Sequence, residues 1–122
     1  MPHVQVEYSA NIQSLDKIGL LKQINQALIT TGLVQAQDVK TRITANSDYV
    51  IGLGDTSQGY IHVQLSILSG RNETEKALLQ DQVLIALQEF QAAAPQKLQV
   101  QLSSELIEMS KQFYRKAVVE IA

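Results

Sequence analysis

Apolar and polar residues alternate over positions 2–8, with Val4, Val6 and Tyr8 on one side and His3, Gln5 and Glu7 on the other. A period of two predicts a half-buried strand. After a polar stretch at 9–14, Ile18, Leu21, Ile24 and Leu28 recur at spacings that line them along one stripe of a helix. Gly32 suits the left-handed residue that ends such a helix, with Leu33 folding back as the apolar contact. Val39, Thr41 and Ile43 then alternate with Lys40, Arg42 and Thr44, a second strand with its cations on one face. Positions 45–59 carry turn chemistry (Asn46-Ser47-Asp48, Gly52, Gly54-Asp55, Gly59) and read as a loop or an irregular hairpin. Ile61, Val63, Leu65 and Ile67 alternate strictly with His62, Gln64 and Ser66, the clearest strand in the chain, closed by Gly70-Arg71. Asn72 with Glu75 three residues on is a capping box that opens a second helix, and Glu73 adds negative charge to its first turn. Leu79, Val83, Ala86, Leu87 and Phe90 form its apolar stripe, and Ala92-Ala93-Ala94-Pro95 its stop. Leu98, Val100 and Leu102 alternate with Gln99 and Gln101 in a fourth strand. Positions 105–122 show no clean period and read as a mixed, partly helical tail.

The order is strand, helix, strand, strand, helix, strand: an α+β, βαββαβ chain made of two βαβ units. Right-handed crossovers put both helices on one face of a four-stranded mixed sheet. The other face carries Gln5, Glu7, Lys40, Arg42, His62, Gln64, Gln99 and Gln101, too polar for a buried layer within one chain. Either water covers it, or other copies of the chain pack on it through hydrogen bonds.

Composition bounds the function. A chain of 122 residues with 45% apolar residues fits one domain over 1–122, able to bury roughly 65% of the surface its unfolded form exposes. It has no cysteine, which excludes disulfides, thiolate metal sites and a cysteine nucleophile and suits a reducing, cytoplasmic setting. Ten basic against twelve acidic residues, with no cationic stripe, argue against nucleic-acid binding. Apolar runs are far shorter than a membrane helix needs, and the N-terminus lacks the layout of a signal peptide, so a soluble protein trimmed only at its first residue is expected.

Most catalytic motifs are absent. Gly52-x-Gly54 lacks the third glycine and the following helix of a dinucleotide site. His3 and His62 stand apart from acidic residues at metal spacing and read as satisfied or solvated imidazoles. No serine sits in a nucleophile elbow, and the acidic residues on the helices read as solvated faces. The N-terminus remains. Met1 precedes a small residue, Pro2, a setting in which initiator methionine is usually removed, and removal would expose a secondary amine. An α-amino group titrates at roughly 7.7 to 8, and nearby cations or a desolvating pocket lower it toward neutrality, where a general base works best. Proline is common at this position, so by itself it assigns nothing.

Met1-Pro2-His3, Glu7-x-Ser9-x-Asn11-Ile12, Thr31-Gly32, Val39-Lys40-Thr41-Arg42, Tyr60-x-His62-Val63 and Gly70-Arg71, in this order, resemble the 5-carboxymethyl-2-hydroxymuconate isomerase family of the tautomerase superfamily. The resemblance runs from the start to about residue 108 and implies a homotrimer whose sheets enclose a central core. It further implies that Pro2, freed of Met1, is the catalytic proline, taking a proton from a dienol and returning it at another carbon. Arg71 matches an arginine that binds and polarises the anionic substrate, and its place just before a helix N-terminus also favours a carboxylate. Position 40 departs from the family, which carries arginine where this chain has Lys40; charge is kept and the bidentate fork is lost. Arg42 resembles another family arginine, suited either to sharing the anion or to a salt bridge between subunits.

The expectation is a cofactor-independent isomerase that shifts a proton in an unsaturated 2-hydroxy or 2-oxo di- or tricarboxylic acid. Pro2 and Arg71 would be catalytic, and Lys40, Arg42 and Arg71 would bind substrate, with no metal. The rivals are other N-terminal-proline chemistry (a hydratase, dehalogenase or decarboxylase) and an inactive trimeric binding module of the same fold.

Overall fold

The computed structural model describes residues 1–90 and 97–122. Strand β1 (His3–Ser9) leads through helix α1 (Lys17–Thr30) to β2 (Lys40–Asn46); β3 (Gln58–Leu68) leads through α2 (Glu73–Glu89) to β4 (Gln99–Met109). The sheet order is β2-β1-β3-β4, with β1 parallel to β2, β3 parallel to β4, and β1 antiparallel to β3. The predicted βαββαβ arrangement is the observed one. The expected stop at Ala92-Ala93-Ala94-Pro95 lies outside the described residues.

Strict alternation in the two central strands makes one sheet face apolar. Val4, Val6, Val63 and Leu65 are fully buried there against Leu20, Ile24 and Leu28 of α1 and Leu79 and Val83 of α2. Each such large aliphatic side chain contributes about 1.5–3 kcal/mol relative to exposure. The stripe of α1 is shifted from the expected one. Leu20, at four-residue spacing from Ile24 and Leu28, faces the sheet, Leu21 is only partly buried, and Ile18 in the first turn stays 62% exposed. Two adjacent leucines let the helix choose its rotation, and the four-residue row wins. The stripe of α2 is as expected, with Leu79, Val83, Ala86 and Leu87 buried and Phe90 packed against the core.

The helix ends follow their local chemistry. At Gly32, with φ +77°, the amide donates to the Ile29 carbonyl, and the Thr31 hydroxyl ties the Leu33 amide to the Leu28 carbonyl. The capping box at α2 is complete: the Glu75 amide donates to Asn72 Oδ1 at 2.8 Å and the Asn72 amide to Glu75 Oε1 at 3.1 Å. Replacing Asn72 by Ala is expected to cost about 1 kcal/mol in urea unfolding. An unchanged midpoint and slope would mean the cap contributes nothing.

Two sequence expectations need correction. Positions 105–109, expected to begin the mixed tail, belong to β4, and the helical part of that tail is one short 3₁₀ turn, Lys111–Phe113. His62, expected to lack an acidic neighbour, has Nε2 2.8 Å from Glu105 Oε1 and Nδ1 2.7 Å from Ser103 Oγ. Register brings Glu105 there from 43 positions away. The His62 bond holds the Glu105 carboxyl below the usual carboxylate range, with Gln64 adding to it.

The open face is polar, as expected, and linked by side-chain hydrogen bonds. Arg42 Nη2 donates to Gln5 Oε1 at 2.9 Å, and Asn46 Nδ2 bonds Tyr60 Oη at 2.6 Å and Glu7 Oε2 at 3.2 Å. Among the described residues, no helix is long and apolar enough to cross a membrane.

Candidate active site

Strand direction gathers the chemistry at one end of the sheet. Because β3 runs antiparallel to β1, its last residues arrive beside the first residues of β1, with His3 opposite Ser66. Ser69, Gly70 and Arg71 therefore emerge next to Pro2. Because β2 is parallel to β1, it begins at that same end, with Lys40 opposite His3 and the Lys40 amide donating to the Pro2 carbonyl at 3.1 Å. Because β4 is parallel to β3, it finishes there too, with Met109 opposite Leu68.

A cavity of about 370 Å³ opens at this corner, lined by Pro2, Arg71, Glu75 and Lys111 among others. Pro2 itself is fully buried. Arg71 reaches the cavity from the residue before the Asn72 cap, so the N-terminus of α2 lies beside it. Its Nη2 donates to the Leu33 carbonyl, and Nη1 stands 3.9 Å from Glu75 Oε2, which fixes the plane of the guanidinium while leaving other N–H groups for a ligand. Gly70, at φ +116°, makes the turn that a side chain would strain.

The N-terminal amine sits in a cationic, half-dry setting. Burial holds the Met1 α-amine below its ordinary range; Asp38 opposes the effect, and Arg71, Lys40 and Lys116 reinforce it. His3 is lowered chiefly by burial and further by Lys40 and Arg42, and its Nε2 shares a 2.9 Å hydrogen bond with Tyr114 Oη.

The expected site residues are thus only partly assembled within one chain. Pro2 and Arg71 share the cavity. Lys40 stands beside it, exposed, with Nζ 3.3 Å from Met1 Sδ and 3.1 Å from the Asp38 carbonyl. Arg42 lies on the open sheet face, bonded to Gln5, and does not line the cavity. Lys111 and Glu75, which do, were not singled out by the sequence. The available signal for Lys111 was the parallel partnership of β4 with β3, which carries the residues after Met109 to the same corner as Arg71.

Among the described residues no group of three or more His, Asp or Glu side chains is arranged to hold a metal ion. At this corner the partly buried Met1 α-amine, the Arg71 guanidinium and the Lys111 ammonium stand around one cavity with the buried Pro2 ring, a cationic set able to bind an organic anion.

No curated protein is significantly similar to this chain in sequence. Among solved structures, it is similar to a 5-carboxymethyl-2-hydroxymuconate isomerase from Deinococcus radiodurans R1, at 25% identity and a TM-score of 0.80, over 95% of this chain and 88% of that one. A 5-carboxymethyl-2-hydroxymuconate delta-isomerase matches at 15% identity and a TM-score of 0.72, covering 98% and 89%. A fused 4-OT described as a symmetric trimer matches at 17% identity and 0.69, covering 90% and 87%. The latter two likenesses speak to fold alone. The family model for 5-carboxymethyl-2-hydroxymuconate isomerase matches residues 2–119. With that match, and with the tautomerase-like fold already described, the chain belongs to the 5-carboxymethyl-2-hydroxymuconate isomerase family, and its function is of the isomerase or tautomerase type.

Proposed function

We propose that the chain, once Met1 is removed, isomerises unsaturated 2-hydroxy or 2-oxo di- or tricarboxylic acids by moving one proton between two substrate atoms. The observation that carries this reading is the single cavity shared by Pro2 and Arg71. The neutral Pro2 nitrogen accepts the proton of the dienol hydroxyl, leaving a dienolate. Arg71 faces the oxygen where that negative charge collects and favours it over the neutral dienol. The resulting prolinium returns the proton to a carbon further along the conjugated chain, giving the enone and restoring the neutral amine. Lys40 and Arg42 serve the anion from the rim, Arg42 doing so across a subunit boundary. The polar open face is the surface on which copies of the chain assemble, as a homotrimer.

The test is direct. Purified protein lacking Met1 is mixed with 2-hydroxymuconate-type dienols, and conversion to the conjugated ketone is followed by ultraviolet absorbance, with products identified by NMR in deuterated water. Saturable conversion with deuterium at the new carbon centre supports the reading. Absence of conversion across a panel of such acids, or release of carbon dioxide instead of an isomer, overturns it.

The pH profile gives a second check with opposite signs. The charges that act on the Met1 amine are taken to act with the same sign on the Pro2 amine one residue further in. Lys40 favours the neutral amine and Asp38 favours the charged one. Lys40→Gln is therefore expected to raise the pKa of the base and move the acid limb of kcat/KM to higher pH, and Asp38→Asn to move it lower. If both limbs stay put, the titrating group is not this amine.

A further inference from the structure

We propose that Lys111 is a specificity-determining residue of the Pro2 and Arg71 cavity: its ammonium is the second cation, beside the Arg71 guanidinium, that selects substrates carrying two carboxylates. The inference rests on reading the cavity as an anion site and adds to it a residue from the segment after β4.

Lys111 lines the cavity together with Pro2, Arg71 and Glu75. Its ammonium lies against Gly70, so close that a Cβ at that position would stand 2.9 Å from Nζ. The missing side chain at Gly70 is what leaves room for the lysine beside Arg71. The backbone of the segment is held on both sides. The Ser69 amide donates to the Met109 carbonyl at 2.8 Å, the Lys111 amide donates to Ser69 Oγ at 3.2 Å, and Tyr114 Oη bonds His3 Nε2 at 2.9 Å.

Pairing sets Lys111 apart from the other cation that lines the cavity, Arg71, and from Lys76 and Lys116. Arg71 faces Glu75 at 3.9 Å, Lys76 faces Glu108 at 2.8 Å and Lys116 faces Asp38 at 3.5 Å. Among the described residues, Lys111 Nζ has no carboxylate partner within ion-pair distance. An ammonium carries three donors and no acceptor, so an unpaired one on a cavity wall is a ready partner for an anion.

The selectivity follows from charge. One carboxylate is served by Arg71 alone. A second, brought into the same cavity, meets the Glu75 carboxylate on its wall and loses water without compensation unless another cation receives it. Lys111 is placed to be that cation, since it lines the cavity, whereas Lys40 does not and has its ammonium 3.1 Å from the Asp38 carbonyl.

The experiment uses two unreactive probes of matched shape, trans,trans-muconate with two carboxylates and sorbate with one. Neither has the 2-hydroxyl, so binding is read independently of turnover. Each is titrated by calorimetry at low salt into the parent, Lys111→Gln and Lys111→Arg proteins, with thermal melts to confirm folding. The parent is expected to prefer muconate, and Lys111→Gln to lower the muconate-to-sorbate affinity ratio about tenfold or more, the usual worth of a hydrogen bond to a charged group. Lys111→Arg, which keeps the charge, restores most of the ratio. A parent that does not distinguish the probes, or a ratio unmoved in Lys111→Gln, overturns the proposal. If dienols are isomerised and the ratio is unmoved, the Lys111 assignment fails and the isomerase reading stands. If the ratio collapses in a protein that isomerises nothing, the reverse holds.

Discussion

Protein freed of Met1 is expected to exceed protein that retains it by about two to four orders of magnitude in kcat/KM, the range that a positioned general base supplies. The difference is one of bonding at a single atom. With Met1 attached, the Pro2 nitrogen is a tertiary amide whose lone pair is delocalised into the carbonyl and cannot accept a proton. Without it, the nitrogen is a secondary amine whose lone pair is free to accept one. Part of the framework around Pro2 is independent of the Met1 side chain: the Lys40 amide holds the Pro2 carbonyl at 3.1 Å. The two forms, distinguished by intact mass, are compared in the dienol assay. Pro2→Ala keeps an amine but empties the ring's buried place and frees the terminus to rotate, so its turnover is also expected to fall sharply with the fold intact. Equal rates for the Met1-bearing and Met1-free forms would remove Pro2 from the mechanism.

Arg71→Ala is expected to lower kcat/KM about 10²- to 10³-fold, the usual effect of deleting one preorganised donor to a developing oxyanion. Arg71 is oriented before any ligand arrives, by the Leu33 carbonyl and by Glu75 at 3.9 Å, so little reorganisation is needed when charge appears on the substrate. Its loss leaves Glu75 on the cavity wall without its cation, which adds repulsion toward any carboxylate. Arg71→Lys is expected to fall between parent and Ala variant, because charge is kept but the planar fork is lost. Steady-state kinetics on a diacid check this, with KM rising and kcat falling together. An Ala variant within a few-fold of the parent, still folded by its thermal melt, would show that Arg71 takes no part.

Legibility in the sequence varied with how each residue is held. Val4, Val6, Val63 and Leu65 announced their strands because a central strand beneath helices buries every second residue. The α2 capping box and the left-handed Gly32 were also legible, since both are set by residues within a turn of one another. The far half of β4 was not. It is an edge strand whose helix-facing side carries Ser104 and Glu108, satisfied from α2: the Gln80 carbonyl accepts from the Ser104 hydroxyl at 3.2 Å, and Lys76 pairs with Glu108 at 2.8 Å. Polar residues satisfied by a neighbouring helix erase the alternation a sequence reader relies on. The Ile18 position failed for a related reason, since adjacent leucines leave a helix's rotation to whatever it packs on.

The candidate site divides in the same way. Pro2, Arg71 and Lys40 were named through the family resemblance that their short motifs carry. That Arg42 turns to Gln5 on the open face, and that Lys111 and Glu75 line the cavity, depended on strand register.

By itself the sequence determined the order of elements and the polarity of each sheet face, because these depend on local spacing and side-chain chemistry, and its short motifs carried the resemblance that named candidate site residues. Only the tertiary structure decided which of the candidates meet, and that Glu75 and Lys111 join them. The antiparallel step between β1 and β3, flanked by two parallel pairings, brings the starts of β1 and β2 and the ends of β3 and β4 to one corner of the sheet. Convergence of that kind is a property of strand pairing between distant segments, and hydrogen bonds across a sheet leave no period in the chain that makes them.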